Sequence, residues 1–371
     1  MKTHKNLFER ITSFENLLLA AKKAEKGKRF KASTALFNLN LEKELLPLQR
    51  ALKERNYKHG EYTDFIVYDP KRRLISAAPY QDRIVHHALC NVIEPIFEKS
   101  FIFDSYACRK GKGTHAAVDR YTVFARKNRY VLKCDIQKYF QSVDHDLLME
   151  MVSRRITCTD TLRLISEIIA SRCDRSIMAY FDGDDLFTPL QRRRAIPIGN
   201  LTSQFFANVY LNGLDHFVKE GLRCKYYIRY VDDFVVLDTD KGRLHEVKGF
   251  IVQYLENLRL RLHRNKSRVY RVKDGIRFLG YRVFPTHRFV KKDNVLRMRR
   301  RLKVLSQQYR ESQISLGDVR QSIQSWIGHA MHADSYRLRY RLLDGVVFQR
   351  GETSGAPWRV LEQQPEQRGM H

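Results

Sequence analysis

Residues 226–237 read YYIRYVDDFVVL, two runs of strand-forming residues joined by the acids Asp232 and Asp233. Aromatic and β-branched residues favour strands, so this stretch predicts a hairpin with carboxylates at its tip. Neighbouring side chains on a regular strand point to opposite faces, and only a turn lets both acids lie near one site. An isolated Asp-Asp pair is most often an ordinary acidic turn, so the hairpin alone does not define a function.

A third acid strengthens a catalytic interpretation. Asp135 ends another apolar run, YVLKCD at residues 130–135. Two strands that end in acids can lie side by side in one sheet and hold two Mg²⁺ ions roughly 3.5–4 Å apart, the spacing used for in-line phosphoryl displacement. Mg²⁺ prefers carboxylate and phosphate oxygens, and we expect Mn²⁺ to substitute for it. The pattern therefore predicts a nucleotidyl-transfer site.

The composition favours a polyanionic partner. The 371 residues include 68 Lys and Arg against 41 Asp and Glu, which gives a formal net charge of +27. A charge of about 2–8 is enough for the solubility of a small domain, so a nucleic acid is the simplest explanation of the excess. The sequence contains no C-x-x-C pair, no signal peptide and no apolar run of membrane-spanning length. These features predict a cytoplasmic protein without a membrane partner.

Hydrophobic periodicity predicts a mixed α/β chain. Residues 1–60 alternate apolar and basic positions at helical spacing, around a basic loop at 27–31. Later helices are expected at 81–97, 114–127, 144–155, 160–171, 201–219 and 243–262, and strands within 61–76, 130–135, 226–237, 267–272 and 277–284. Beyond residue 288 a strongly basic helical region extends to residue 345, and a polar tail follows.

The motifs lie in the order found in reverse transcriptases, and the chain resembles that family over residues 5–345. The matching segments are PKRRLIS at 70–76, DRIV at 82–85, EPIFE at 94–98, SYACRK at 105–110, KCDIQKYF at 133–140, YVDD at 230–233 and FLGY at 278–281. Each motif is weak alone, but their order is specific. The resemblance implies an RNA-directed DNA polymerase that uses template RNA and dNTPs to make cDNA.

The fold implied by the resemblance is a right-hand polymerase with α/β fingers and palm, a mixed sheet plus helices, and a helical thumb. The implied domains are an N-terminal extension with a basic loop at 1–60, fingers at 61–129, a palm at 130–288, a helical thumb at 289–345 and a flexible tail at 346–371. Residues 144–197 are expected to belong partly to the fingers or to an insertion.

The resemblance also implies roles for individual residues at the reaction centre. Asp135 and Asp232 correspond to the main metal ligands, with the backbone carbonyl of Ile136 beside them and Asp233 as the lesser ligand. Lys266 corresponds to a catalytic lysine that protonates the departing pyrophosphate.

Other positions correspond to contacts with the nucleotide and the nucleic acid. The implied dNTP-binding residues are Lys71, Arg73, Phe140, Ile198, Gly199 and Gln204. Among them, Phe140 matches a steric gate against the 2′-hydroxyl, and Lys71 and Arg73 match cations that clamp the triphosphate. The implied primer grip is Phe278, Leu279, Gly280 and Tyr281. The cations implied in gripping the template–primer backbone are Lys291, Lys292, Arg297, Arg300 and Arg301.

The segment IGNLTSQ at residues 198–204 indicates a subfamily. An aliphatic residue before the glycine and a Gln after the serine resemble the reverse transcriptases of diversity-generating retroelements, which are group II intron-like enzymes. Their mutagenic retrohoming copies a template-repeat RNA with errors at adenines and diversifies a target gene. They act with a small basic oligomeric accessory protein. Ile198 in place of a Gln removes amide hydrogen bonds that could hold the base pair in register, although this does not explain the choice of adenine.

Other assignments stay open from the sequence alone. A retron-like, defence-associated or group II intron-type reverse transcriptase without a mutagenic role shares the same palm motifs. An intron enzyme normally has a further RNA-binding region, which the short sequence after the expected thumb disfavours. Phe140 disfavours an RNA-dependent RNA polymerase, and the intact acids disfavour a catalytically inactive RNA-binding scaffold.

Overall fold

The computed structural model describes residues 3–68, 72–174, 176 and 179–350. The chain divides into two compact units, Met1–Arg271 and Val272–His371. The boundary between the units precedes residue 288, where the sequence suggested the change from palm to thumb. The limits of fingers, palm and thumb remain predictions. Among the described helices, none combines the length and the apolar composition needed to cross a bilayer.

Helices dominate the start of the first unit. Their bounds are α1 (Phe8–Thr12), α2 (Phe14–Glu25), α3 (Ala32–Leu39) and α4 (Leu41–Lys53). The hydroxyl of Ser13 accepts the Asn16 N–H and so caps the beginning of α2,. Leu17 and Ala21 are buried on the apolar face of this helix. The expected basic loop at 27–31 lies between α2 and α3.

A largely exposed hairpin follows, formed by β1 (Thr63–Val67) and β2 (Arg73–Ala77) in antiparallel pairing. Two helices then continue the unit, α5 (Tyr80–Glu98) and α6 (Thr114–Ala125). Both were expected from their apolar periodicity, and both are confirmed with small differences at the ends. Helix α5 packs against α2 and contributes Ile84, Val85 and Leu89 to the main core.

The rest of the first unit surrounds one antiparallel sheet. The elements are β3 (Tyr130–Asp135), α7 (Tyr139–Ser142), α8 (His145–Ser153), α9 (Thr159–Ala170), α10 (Thr188–Gln191), α11 (Leu201–Tyr210), α12 (Asn212–His216), β4 (Tyr226–Tyr230), β5 (Asp233–Asp238), α13 (Lys241–Asn257) and β6 (Arg268–Arg271). The strand order in the sheet is β4-β5-β3-β6. The predicted hairpin at 226–237 is therefore confirmed, and so is the mixed α/β fold class.

The two central strands of this sheet are buried on both faces. Leu132 and Phe234 belong to the main core, while Val131 and Val235, which alternate with them along β3 and β5, are also fully buried. Helix α13 packs on β3 and β5, and α6 packs on β4. Because both faces are covered, these strands are continuous apolar runs rather than alternating ones. Acids at their ends stand out for the same reason.

The expectation of one continuous helix over 201–219 was wrong. Helix α11 ends at Tyr210, the next residue Leu211 has φ −95° and ψ 2°, and α12 leads into a π-helical turn at Phe217–Gly221. A Cβ at Gly213 would lie 2.6 Å from the Tyr254 hydroxyl oxygen, so the broken helix approaches α13 closely at this glycine. Long-range packing of this kind is not visible in helical periodicity.

The second unit has its own sheet and core. After a 3₁₀ turn at Val272–Asp274 come β7 (Ile276–Phe278), β8 (Tyr281–Val283), β9 (Arg288–Val290), α14 (Lys292–Arg310), α15 (Leu316–Ala330) and α16 (Tyr336–Leu343). The strands pair antiparallel in the order β7-β8-β9. Met298, Leu302 and Trp326 form the centre of the core, and the Trp326 indole N–H donates to Asn294 Oδ1 at 2.7 Å.

Candidate active site

The register of the sheet brings the acids of two strands together. Asp135 at the end of β3 lies opposite Asp233 at the start of β5. Asp232 lies in the two-residue turn between β4 and β5, because Tyr230 pairs with Asp233. The Ile136 N–H donates to the Asp232 carbonyl at 3.2 Å, which connects the turn to the residue after Asp135. The three carboxylates that the sequence singled out therefore lie at the same end of neighbouring strands in the sheet.

The turn that carries Asp232 is strained, and a buried arginine is hydrogen-bonded to its backbone. Val231 has φ +56°, a left-handed conformation that is costly for a β-branched side chain,. The Arg229 guanidinium donates through Nη1 to the Val231 carbonyl at 3.1 Å. It also forms a bidentate pair with Asp215, with both N–O distances at 2.7 Å. The Tyr227 hydroxyl donates to the same Asp215 carboxylate.

Sequence reasoning did not identify Arg229 and Asp215 as part of the site. The available signal was an arginine in the middle of an otherwise apolar strand, since a buried charge of this kind needs a partner. Both side chains are fully buried. The partner could not be read from the sequence, because Asp215 lies in the broken helical region.

Two lysines contact the acids directly. Lys266 Nζ lies 2.9 Å from Asp135 Oδ1, and Lys133 Nζ lies 3.1 Å from Asp233 Oδ2. The His263 N–H donates to the Asp135 carbonyl at 2.7 Å, so the loop before Lys266 is tied to the end of β3. Lys266 was implied by the resemblance, whereas Lys133 was not singled out.

Burial and repulsion from neighbouring carboxylates raise the pKa values of Asp232 and Asp233. Burial raises the pKa of Asp232, and the charge of Asp135 adds to the increase, while Arg73 and Lys266 oppose it. Burial also raises the pKa of Asp233 to about 6, although the Lys133 ammonium acts in the opposite direction. A cation bound between these carboxylates would remove the repulsion.

The donor set fits hard divalent cations. Asp233 Oδ1 is buried and has no hydrogen-bond partner in the described part of the chain. Carboxylate oxygens together with substrate phosphates are the ligands that Mg²⁺ and Mn²⁺ prefer. Among the described residues, no group of three or more His, Cys, Asp or Glu side chains forms a ready-made metal cluster. This agrees with the lysines at Asp135 and Asp233, which neutralise the acids in this conformation.

The segment expected beneath the nucleotide is tied to the exposed hairpin. The Ser76 N–H donates to the Ile198 carbonyl at 3.0 Å, and the Asn200 amide donates to the Ser76 carbonyl at 2.9 Å. Gly199 has φ +113°, and a Cβ there would lie 2.8 Å from Ile75 Cγ2. The glycine is therefore required by both conformation and space. Strand β2, which begins at Arg73, is held in register with this segment.

The remaining residues implied in nucleotide binding differ in their exposure to solvent. Phe140 lies in α7, its ring packs edge-on against Tyr139 at 5.6 Å, and its carbonyl accepts the Ile196 N–H at 2.8 Å. Gln204 is exposed in the first turn of α11. Lys71 lies outside the described residues.

The implied primer grip and backbone-binding cations belong to the second unit. Phe278 ends β7 and Tyr281 begins β8, with Leu279 and Gly280 at φ +46° and +92° in the turn between them. The Tyr281 ring stacks on His329 at 4.6 Å between centroids. The implied cations lie at the start and along the first half of α14, and they are Lys291, Lys292, Arg297, Arg300 and Arg301. The Lys291 ammonium is paired with Asp293 at 2.7 Å.

The antiparallel sheet with acids in one hairpin turn and on the adjoining strand defines a right-hand polymerase. Residues 57–283 match the family model described as reverse transcriptase (RNA-dependent DNA polymerase). The match covers more than half of the chain, which therefore belongs to the reverse transcriptase family. RNA-directed DNA polymerases of this family are nucleotidyltransferases, and the family generally depends on divalent metal ions.

Several curated proteins are similar to this chain. YkfC of Escherichia coli (strain K12) is 27% identical over an alignment of 260 residues, and the match covers 58% of this chain and 65% of YkfC. The putative COX1/OXI3 intron 2 protein of Saccharomyces cerevisiae is 21% identical over 293 residues, covering 61% of this chain and 33% of that protein. Nuclear intron maturase 2, mitochondrial, of Arabidopsis thaliana is 30% identical over 136 residues, covering 32% and 18%. The chain spans less than two thirds of each relative.

Solved structures of apo telomerase from Candida tropicalis are also similar. One has a TM-score of 0.45 and 12% sequence identity, and the match covers 64% of this chain and 49% of that chain. A TM-score at that level supports no functional conclusion.

Proposed function

We propose that this chain extends a primer with dNTPs on an RNA template and releases cDNA and pyrophosphate. The observation that carries the proposal is the strand register, with Asp135 opposite Asp233 and Asp232 in the adjoining turn. Membership in the reverse transcriptase family supports the same reaction.

The metal ions would be held by Asp135, Asp232 and Asp233, with the backbone carbonyl of Ile136 beside them. When bound, Mg²⁺ or Mn²⁺ supplies charge stabilisation at the transferred phosphoryl group and lowers the pKa of the primer 3′-hydroxyl. The buried, unpartnered Asp233 Oδ1 supports this assignment.

The other residues would position substrate and protons. Lys266 carries a proton at Nζ beside Asp135 and would donate it to the departing pyrophosphate,. Arg73, whose charge acts on Asp232, would bind the triphosphate together with Lys71,. Phe140 would exclude the 2′-hydroxyl by its ring. The second-unit hairpin Phe278–Tyr281 and the cations of α14 would hold primer and template backbone.

Primer extension tests this assignment. The full chain is given a primed RNA template and either dNTPs or NTPs. Extension with dNTPs and not with NTPs is expected. Extension only with NTPs would reassign the chain as an RNA polymerase, and no extension under either condition would favour an RNA-binding scaffold.

The finer role that we propose is the copying of a template-repeat RNA with errors at adenines, for diversification of a target gene by mutagenic retrohoming. The support is the Ile198–Gly199 pair and Gln204, since an aliphatic side chain offers no hydrogen bond to hold a templating base. The Ile198 carbonyl is hydrogen-bonded to Ser76 in the β1–β2 hairpin. A loosely held templating base beside Ile198 would therefore lie next to the hairpin that is proposed to bind the triphosphate. A small basic oligomeric accessory protein is the proposed partner.

Substitution of Ile198 tests the mutagenic role. The Ile198→Gln variant is expected to retain cDNA synthesis and to misincorporate less at template adenines than the parent, as measured by sequencing the cDNA. Equal error rates at adenine in an active variant would contradict the idea. Leu201→Gln, at the neighbouring start of α11, provides a control for the introduction of an amide.

A second candidate is an intron-associated or retron-like reverse transcriptase without a mutagenic role. The observation that favours it is the similarity to proteins named as yeast intron proteins and plant intron maturases. The same cDNA sequencing separates the two candidates, because this role predicts no excess of errors at adenine in the parent enzyme.

A further inference from the structure

A basic cavity lies in the first unit beside the strand that carries Asp135. Its volume is about 440 Å³, and its walls come from the segment after Asp135, the loop after α13 and the region around α10. A cavity of this size is within the range of about 300–1,000 Å³ typical of small-molecule sites. None of the residues that line it has a role in the proposed reaction.

Positive charge dominates the lining of the cavity. The cationic residues are Lys138, Arg192, Arg194, Arg259, Arg261 and Arg264. The three that are buried or half-buried are each compensated by an acid: Arg192 by Asp184 at 2.5 Å, Arg194 by Asp174 at 3.5 Å and Arg259 by Asp144 at 2.6 Å.

The other three cations of the lining are exposed. Lys138, Arg261 and Arg264 form no ion pair with an acid in the part of the chain that the structure describes, although the Arg261 guanidinium donates to the Tyr180 carbonyl. The lining therefore has an excess of positive charge that its own carboxylates do not neutralise. A site of this kind favours a multiply charged anion.

The cavity is coupled to the catalytic strand through the backbone. The Gln137 N–H donates to the Arg261 carbonyl at 2.8 Å, and the His263 N–H donates to the Asp135 carbonyl at 2.7 Å. The same loop ends at Lys266, whose ammonium contacts Asp135. The lining of the cavity thus includes residues whose backbone is hydrogen-bonded to the segment that holds the proposed metal ligand.

The aromatic residue in the cavity does not offer a stacking surface for a base. The guanidinium carbons of Arg192 and Arg261 lie 5.6 and 5.2 Å from the centroid of the Phe181 ring. Recognition of a single-stranded nucleic acid normally combines charge with free aromatic faces. A ring already covered by arginines favours recognition of phosphate oxygens alone.

We propose that this cavity binds pyrophosphate after it leaves the active site. The inference rests on the proposed polymerase function, which produces pyrophosphate next to Asp135. Arginine forks bind phosphate oxygens in bidentate fashion, and the lysine adds a point charge. The cavity would hold the product away from the carboxylates and so limit its re-use in the reverse reaction.

Direct binding to the full chain tests the site. Calorimetric titration with inorganic pyrophosphate is done in buffer with EDTA, so that binding through metal ions at the carboxylates does not contribute. The double variant Lys138→Asn/Arg264→Gln is expected to bind pyrophosphate about tenfold more weakly or worse, because charge-assisted hydrogen bonds are lost. Asparagine suits position 138, where φ is +46°,.

A charge-matched control is available on α13. The double variant Lys241→Asn/Arg243→Gln removes the same charges from exposed positions outside the cavity, and its affinity for pyrophosphate should equal that of the parent. The single variant Arg264→Gln, with an intermediate loss, serves if the first double variant unfolds.

Three results would overturn the proposal. The first is a parent chain that binds no pyrophosphate, and the second is a set of cavity variants that bind pyrophosphate as the parent does. The third is a set of cavity variants that lose affinity only for an unphosphorylated single-stranded oligonucleotide and not for pyrophosphate. That third result would assign the cavity to a nucleic-acid backbone. The titration needs no turnover. A chain that binds pyrophosphate through these residues but extends no primer would therefore contradict the polymerase assignment and leave the binding site standing.

Discussion

Arg229 and Asp215 form a bidentate ion pair inside the protein, with both side chains fully buried and both N–O distances at 2.7 Å. The same guanidinium donates to the carbonyl of Val231, the strained residue that begins the turn between β4 and β5. The pair therefore connects the broken helix α12 to the position of Asp232. Its energetic and functional effects can be separated by substitution.

Replacement of Arg229 by Met should destabilise the protein strongly. The substitution leaves the Asp215 carboxylate buried without a counter-charge, which costs about 3–5 kcal/mol. Urea unfolding followed by circular dichroism measures the change in the free energy of unfolding. The control is Arg243→Met, which removes an exposed cation paired with Asp238 at 3.6 Å and should cost no more than about 1 kcal/mol,. Equal changes in the free energy of unfolding for the two substitutions would mean that the buried pair contributes no more to stability than the exposed pair does.

Replacement of Gly199 by Ala should weaken nucleotide binding. The new Cβ would meet Ile75 at 2.8 Å in a conformation with φ +113°, so the segment or strand β2 must move. Backbone strain of this type costs about 1–3 kcal/mol. The expected readout is an increased KM for dNTPs in primer extension.

The control for Gly199 is another glycine. Gly249 is exposed on α13, where a Cβ meets nothing within 4 Å, and Ala there should leave KM unchanged and favour the helix,. An unchanged KM in an active Gly199→Ala variant would contradict the role assigned to this close approach.

The sequence predicted the hairpin at residues 226–237 and the acids in its turn because two local signals coincide there. Apolar strands buried on both faces are continuous runs, and carboxylates at their ends are conspicuous. The sequence predicted that the two strands are neighbours, but the antiparallel register that places Asp135 opposite Asp233 came from the structure.

Features that depend on distant partners could not be predicted in the same way. Gly213 approaches Tyr254 closely in the broken helical region, and Asp215, the partner of Arg229, lies in the same region. The three arginines at Arg192–Arg194 are visible in the sequence only as a run of charge. Their pairing with Asp184 and Asp174 in a cavity wall became visible only in three dimensions.

Replacement of Phe140 by Ala should relax the choice of sugar. Removal of the ring opens space for a 2′-hydroxyl, and steric pockets of this kind discriminate by roughly 10–200-fold. Competition between dNTPs and NTPs in primer extension measures the ratio of kcat/KM values. Phe187→Ala, which removes an exposed ring, should leave the ratio as in the parent. A ratio unchanged by Phe140→Ala would exclude the ring as the gate.

The increase in melting temperature that Mg²⁺ gives this protein should depend on pH. The pKa of Asp233 is raised from 3.8 to about 6 in the folded protein, so below that pH a proton occupies the carboxylate that a metal needs. Mg²⁺ should therefore raise the melting temperature at pH 8 and have little effect at pH 5. Without metal, the folded state binds the proton more tightly than the unfolded state does, so this group makes the free energy of unfolding fall as pH rises from about 4 to about 6.

Thermal unfolding at each pH, with and without Mg²⁺, checks both statements. The Asp233→Asn variant should lose most of the Mg²⁺-dependent increase at pH 8. An increase that is equal at pH 5 and pH 8 in the parent would contradict the assignment of Asp233 to the metal site.

The most direct test of the central claim is single-turnover cDNA synthesis by Asp232→Asn beside Asp238→Asn. Both substitutions replace one acid by its isosteric amide near the β4–β5 hairpin, but Asp238 lies at the far end of β5. Loss of an electrostatic contribution at a reaction centre typically lowers the rate by about 10²–10³. The account predicts a loss of at least that size for Asp232→Asn and a parental rate for Asp238→Asn, with both proteins folded. A folded Asp232→Asn variant that makes cDNA at the parental rate would contradict it.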